Sequence, residues 1–175
     1  MRKKIAILFI ISLLLPVIVQ GLDVIPEDMQ AVLVLKIISF TKNFEKLLKS
    51  EVTIGIFNND EILQHFYTAS KKVSFKIQLI SLPDTSISIE KINILYIPKG
   101  TSQTNIEALN KQAKKFKVLT VCGDPDVILD RNLSLSFYVL NESPKILVNM
   151  KSSKEEGISF SGKVLGLADV RNIEK

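Results

Sequence analysis

The chain has 175 residues, of which 46% are hydrophobic and 23% are charged, values typical of a single globular domain with a substantial core. The net charge is +5, but without Arg2, Lys3 and Lys4, which precede a long apolar run, 20 basic residues face 18 acidic ones. Because no basic patch is interleaved with aromatic residues, composition argues against a nucleic-acid-binding protein.

Residues 1–21 have the pattern of a secretory signal peptide. Three basic residues precede an apolar run from Ile5 to Val19, and Val19 and Gly21 supply the small residues expected before a cut at Leu22. The alternative is an uncleaved membrane anchor, but the run is shorter than the about 20 residues that span a bilayer. We therefore predict an exported protein, with residues 1–21 as the signal peptide and 22–175 as a single domain.

The first element expected after the signal is one long helix over Pro26–Lys49. Pro26 suits a first helical position, and Glu27 and Asp28 favour the positive end of the helix dipole. One apolar stripe recurs at steps of three and four residues: Met29, Leu33, Ile37, Phe40, Phe44 and Leu47. A second apolar line lies beside it: Val32, Leu35 and Ile38. Because two sides are apolar, we expect one to cover a sheet and the other to meet a partner chain; the alternative is a helix sunk in its own core.

Strands and helices then alternate along the chain. Apolar and β-branched runs predict strands, and the three- to four-residue spacing of apolar residues predicts helices. The predicted strands are Glu51–Phe57, Val73–Ile80, Ile92–Ile97 and Val118–Val121, and the predicted helices run from a cap at Asn58 through Ser70 and over Thr101–Phe116. Such alternation predicts an α/β fold whose mainly parallel sheet is flanked by helices.

The last quarter of the chain follows a different pattern. Leu133–Leu140 and Lys145–Met150 face each other across the turn residues 141–144, which predicts a C-terminal antiparallel hairpin added to the sheet. Lys151–Gly157 is expected to be a polar connection, and Ile158–Ala168 a terminal helix or turn.

No set of residues with a recognisable catalytic pattern is present, and we expect neither an enzyme nor a cofactor or metal site. The loop at Asn58 lacks the glycines that a dinucleotide needs, and the pair Asp124 and Asp126 is typical of a turn. His65, the single histidine, lies on the polar side of a short helix. Cys122, the single cysteine, cannot form an intramolecular disulfide, and its position in an apolar strand predicts burial.

Four segments together resemble the YfiR-like family of periplasmic proteins. They are the strand Val52–Phe57, the strand Val118–Cys122 with its Gly123-Asp124 turn, the hairpin with Phe137 and Val148-Asn149, and the closing segment Ser161–Ala168. The resemblance covers nearly all of the mature chain. It departs from the family in three places: a tryptophan near the end of the first helix, a glycine pair before the hairpin, and the cysteine pairs of redox-responsive members are absent.

The resemblance implies a periplasmic, dimeric α/β domain that binds the periplasmic part of a membrane diguanylate cyclase and represses it. Release of the cyclase would then raise cyclic-di-GMP and promote biofilm formation. The missing cysteine pairs argue against redox control here. We expect the partner contact on the outer side of the first helix, around Phe40 and Phe44.

A periplasmic small-molecule-binding module is the alternative function. Ligands of open α/β sheets bind at the carboxyl ends of the strands, which would place a ligand near Asn58, Lys99 and Asp124.

Overall fold

The computed structural model describes residues 22–41, residue 44 and residues 51–172. The predicted signal peptide, residues 1–21, lies outside them. The strands are β1 (Asp23–Val24), β2 (Glu51–Phe57), β3 (Lys76–Leu82), β4 (Ile94–Ile97), β5 (Leu119–Cys122), β6 (Leu135–Leu140), β7 (Ser143–Asn149) and β8 (Ala168–Arg171). The helices are α1 (Glu27–Ile38), α2 (Asp60–Ser70), α3 (Gln103–Phe116), α4 (Met150–Glu155) and α5 (Gly162–Leu165), and Pro125–Val127 forms a short 3₁₀ helix. Among the helices of these ranges, none is both long and apolar enough to cross a membrane.

The strands form one mixed sheet in the order β3-β2-β4-β5-β6-β7-β8, and β1 pairs with β6 beside this path. The four pairs β3–β2, β2–β4, β4–β5 and β5–β6 are parallel, as expected where crossover segments connect successive strands. Strands β6 and β7 form the antiparallel hairpin, and β8 returns parallel to β7. The predicted fold class, a mainly parallel α/β sheet with a C-terminal antiparallel hairpin, is confirmed.

Helices cover both faces of the sheet. One apolar cluster lies on the face of α1 and α2 and includes Leu35, Phe66 and Tyr96, with the two rings edge to face at 5.2 Å between centroids. A second cluster lies on the face of α3 and includes Leu109 and Leu95. Because neighbouring residues of β4 point to opposite faces, Leu95 and Tyr96 belong to different clusters. This two-sided burial explains why the interior strands β2, β4 and β5 are buried almost throughout, whereas the edge strand β3 alternates.

The first helix is shorter than predicted. It ends at Ile38, Ser39 and Phe40 form a turn, and Thr41 makes a β-bridge with Phe160. The Thr41 hydroxyl also donates to the carbonyl of Ile37 at 2.9 Å, which satisfies a carbonyl of the last turn. The apolar spacing did not reveal this stop, because the bridge depends on a residue far along the chain. Most of the remaining predicted helix lies outside the described residues.

Two other details differ from the sequence expectations. Asn59, not Asn58, caps α2 by accepting the amide of Ile62, while Asn58 has a positive φ of 42°. The hairpin turn consists only of Asn141 and Glu142, both at positive φ, so β7 begins at Ser143, two residues before the predicted start at Lys145.

The segments after the hairpin differ in part from the prediction. The expected polar connection contains α4, and the segment expected as a terminal helix or turn holds the short α5 and a turn, but β8 follows it. A four-residue strand that gains its hydrogen bonds from β7 has too few residues to establish a period by itself.

Candidate functional site

The outward side of α1 and the turn after it carry two exposed apolar side chains. The helix buries a stripe at helical spacing that includes Ala31, Leu35 and Ile38, so these residues cover the sheet. Met29, with 46% of its surface exposed, lies on the other face, and Phe40, 41% exposed, follows the end of the helix. Ile37 of the predicted outer stripe is only 4% exposed and belongs to the core cluster, as Leu35 and Ile38 of the second line do. A partner chain on the outward side therefore stays a prediction.

The two residues predicted to bind a partner lie in different environments. The ring of Phe40 is exposed, and the Lys163 ammonium lies over it at 4.2 Å from the ring centroid. Phe44 is only 2% exposed and belongs to the core cluster beneath α1. The expectation that Phe44 faces outward is therefore wrong, because α1 ends at Ile38 and the Phe44 side chain packs in the core. Only Phe40 keeps its place in the predicted partner surface.

A buried polar contact fastens α1 to the sheet. Gln30 and Tyr96 are both 0% exposed, and the Tyr96 hydroxyl donates to Oε1 of Gln30 at 3.0 Å. The Gln30 amide donates to the carbonyl of Ile25 at 2.7 Å and lies 3.5 Å from that of Gly123. Burial raises the pKa of Tyr96, so the hydroxyl stays protonated and remains a donor. The position of α1 is thus coupled to the Gly123-Asp124 turn at the carboxyl end of β5.

Two of the three residues named for the alternative function line a common cavity. A polar cavity of about 200 Å³ lies at the carboxyl ends of β2 and β4, and Asn58 and Lys99 both line it. Asp124 is not part of its lining; its carboxylate instead accepts the amide of Asp126 at 3.1 Å within the turn after β5. The structure brings together two of the three residues. The cavity lies between the first turns of α2 and α3, whose caps are Asn59 and Ser102.

One buried carboxyl group, that of Glu156, was not expected from the sequence. Glu156 follows α4, is 0% exposed, and accepts hydrogen bonds from the Thr120 hydroxyl at 2.6 Å, the Thr120 amide at 3.0 Å and the Ser134 hydroxyl at 2.5 Å. Burial raises the pKa of Glu156 to about 7, while these hydrogen bonds and the charge of Lys114 oppose the shift. The group links α4 to the start of β5 and β6. Its polar neighbours in the sequence predicted an exposed connection, so no local signal pointed to it.

The cysteine thiol and the potential metal ligands do not form a reactive site in the described residues. Cys122 is buried as predicted, and burial raises the pKa of its thiol to about 12. Across residues 22–41, 44 and 51–172, no three or more histidine, cysteine, aspartate or glutamate side chains converge as metal ligands.

Solved structures of other proteins share the fold of this chain. A crystal structure of a conserved domain protein from Vibrio cholerae O1 biovar El Tor matches with a TM-score of 0.61 at 14% identity, covering 85% of this chain and 60% of that one. A second, an ABC domain in complex with L-Trp from Streptococcus pneumoniae, matches with a TM-score of 0.58 at 14% identity, covering 83% of this chain and 60% of that one. The chain thus spans about 60% of the length of each, and at this identity the likeness shows a shared α/β fold alone.

The sequence comparison gives the family. The model of the family described as YfiR/HmsC-like matches residues 27–169, most of the chain, and the protein belongs to that family. The family is regulatory and non-catalytic, and its periplasmic members act on membrane signalling proteins. The search of curated proteins gave no significant match.

Proposed function

We propose that this protein is an exported repressor that binds the periplasmic part of a membrane diguanylate cyclase and holds it in its inactive conformation. Family membership over residues 27–169 is the observation that carries this proposal. Loss of the complex would raise cyclic-di-GMP and promote biofilm formation. By linkage, such a repressor must bind the inactive cyclase more tightly than the active one, and a releasing signal must reduce that difference.

The outward face of α1, together with the turn that follows it, is the proposed contact surface. It offers Phe40 and Met29, two large apolar side chains that the protein's own core does not cover. Aromatic side chains are frequent energetic centres of protein interfaces, and a neighbouring cation such as Lys163 favours an acidic group on the partner. The same face is a candidate for the homodimer contact, and the two interfaces compete if both use Phe40.

The first test is cellular cyclic-di-GMP in a deletion strain complemented with the full chain or with a chain lacking residues 1–21. The proposal expects a rise on deletion that only the exported form reverses. No rise under several envelope stresses would contradict the repressor role.

The surface is tested with Phe40→Ser in the same complementation assay. Phe40 is exposed, so this variant is expected to fold while losing at least about tenfold in affinity for the cyclase, as for an aromatic hot spot. Tyr67→Ser is the matched control, because Tyr67 is a 52% exposed aromatic residue on the neighbouring helix α2. Full repression by Phe40→Ser, or equal loss in both variants, would contradict this placement. Phe44→Ser is unsuitable, since its effect would report on the core.

The alternative, a small-molecule-binding module, is favoured by one observation: Asn58 and Lys99 line the same polar cavity. Thermal shift with a panel of carboxylate and phosphate metabolites tests it. A ligand that stabilises the protein but not its Lys99→Ala variant would support this function. A panel without any shift, together with a cyclic-di-GMP response, would exclude it in favour of the repressor.

A further inference from the structure

The first described residues are fastened to the sheet by one specific contact. The backbone nitrogen of Leu22 donates to Oδ1 of Asp126 at 2.9 Å. The next two residues form β1, pairing Asp23 with Val139 and Val24 with Tyr138 of β6. A strand of two residues gains few hydrogen bonds of its own, so contacts at its ends contribute much of what holds it in place.

The acceptor of this contact carries an unbalanced charge. Within residues 22–41, 44 and 51–172, Asp126 has no ion-pair partner. The amide of Asp126 donates to the carboxylate of Asp124, which adds a second negative charge nearby. The only cation lining the adjoining cavity within the described residues, Arg171, is already paired with Asp169 through two hydrogen bonds of 2.7 and 2.8 Å. A cation at the position of the Leu22 nitrogen would therefore meet an uncompensated carboxylate.

Signal-peptide removal would produce such a cation at this nitrogen. Hydrolysis of the bond between Gly21 and Leu22 adds water across it: the oxygen goes to the Gly21 carbonyl carbon, which leaves as a carboxylate, and the Leu22 nitrogen becomes a primary amine. An α-amino group has an ordinary pKa of about 7.7–8.0, so it is mostly protonated at neutral pH. The neutral amide donor thus becomes an ammonium beside a carboxylate.

We propose that Asp126 is the docking site for the α-ammonium group of the mature chain, and that processing before Leu22 thereby fastens β1 onto β6. This inference rests on the export and cleavage that belong to the proposed function. The Leu22 side chain also lines a cavity of about 570 Å³ with Leu129, Tyr138 and Leu140. Processing would in this way fix one wall of that cavity as well as the N-terminal strand.

The contact between the α-ammonium group of Leu22 and Asp126 is tested in two engineered chains. Because neither has to be exported, a negative result for this contact is distinguishable from a failure of export. One begins at Leu22, released from a fusion by a protease that leaves no extra residue, and the other retains residues 20 and 21 and so keeps an amide at Leu22. Each is made as the unmodified form and as Asp126→Asn, which keeps the acceptor oxygen and removes the charge. Asp23→Asn is the matched control, because it removes the same charge one residue from the terminus.

In the chain beginning at Leu22, we expect Asp126→Asn to lower Tm by about 2 °C, as for an exposed ion pair, and to lower the pKa of the α-amino group measured by NMR. The Tm effect should be at most half as large in the extended chain, and Asp23→Asn should lower the α-amino pKa less. Equal Tm effects of Asp126→Asn in both chains, or an unchanged α-amino pKa, would overturn the docking site. N-terminal sequencing of the exported protein should give Leu22, and any other first residue would overturn its role in the cell without bearing on cyclase repression.

Discussion

The hydroxyl of Tyr96, in the middle of the sheet, donates to the side chain of Gln30 on α1 at 3.0 Å, and both residues are fully buried. This contact joins the helix that carries the proposed partner surface to the strand at the centre of the fold. The side-chain amide of Gln30 also donates to the carbonyl oxygen of Ile25 and lies 3.5 Å from the carbonyl oxygen of Gly123. A change at the carboxyl edge of the sheet therefore has a short physical route to α1.

Tyr96→Phe is expected to lower the free energy of unfolding by about 1–3 kcal/mol, because it leaves the buried Oε1 of Gln30 without this donor. Chemical denaturation measures the change. Tyr67→Phe makes the same substitution at an exposed ring and should alter stability by less than about 0.5 kcal/mol. Equal effects at the two positions would show that the buried contact contributes nothing specific.

Gly123→Ala is expected to destabilise the protein by about 1–3 kcal/mol through overpacking. A Cβ at this position would lie 2.8 Å from the Tyr96 hydroxyl and 3.0 Å from the backbone nitrogen of Lys99, and the backbone atom cannot move aside cheaply. Thermal or urea unfolding measures it. Gly162→Ala is the control: a Cβ there meets nothing within 4 Å, and alanine favours the helix. A Gly123→Ala protein as stable as Gly162→Ala would contradict the tight approach of β5 to β4.

Glu156 should make stability depend on pH. Its pKa is raised from 4.5 to about 7 in the folded protein, so the folded state binds the proton more tightly than the unfolded state. The stabilisation is complete below about pH 4.5 and is lost as the pH rises to about 7. Relative to Glu156→Gln, which does not titrate, the unmodified protein should lose roughly 3 kcal/mol across this window.

Urea unfolding of both proteins at several pH values between 4 and 8 measures this difference. Glu90→Gln, at an exposed position, serves as the control, and its free energy of unfolding should change with pH as that of the unmodified protein does. A constant difference between the unmodified protein and Glu156→Gln across the window would show that Glu156 titrates normally.

Cys122 should be inert toward thiol reagents in the folded protein. Its side chain is buried, and the shift of its pKa from 9.0 to about 12 reduces the thiolate by about a thousandfold at neutral pH. Reaction with a chromogenic disulfide should be at least about 100-fold slower in buffer than in concentrated urea. Rapid reaction without denaturant, or a disulfide-linked dimer in the native protein, would contradict this burial.

The sequence determined the fold class because its signals are local and repeated. Apolar runs such as Glu51–Phe57 and the spaced apolar face of α3 predict the correct element wherever they pack. The burial of Cys122 followed from the same logic. Four motifs in a fixed order sufficed for the family resemblance, and the family model confirmed it over residues 27–169.

The tertiary structure decided what depends on residues far apart in the chain. The first helix ends at Ile38, Thr41 pairs with Phe160, and Phe44 lies in the core while Phe40 is exposed. Glu156 becomes a buried acid because β5 and β6 supply its hydrogen-bond donors, and β8 is a strand because β7 pairs with it. The local spacing of apolar residues does not predict such contacts, because they stabilise the protein only when distant segments meet in the folded chain.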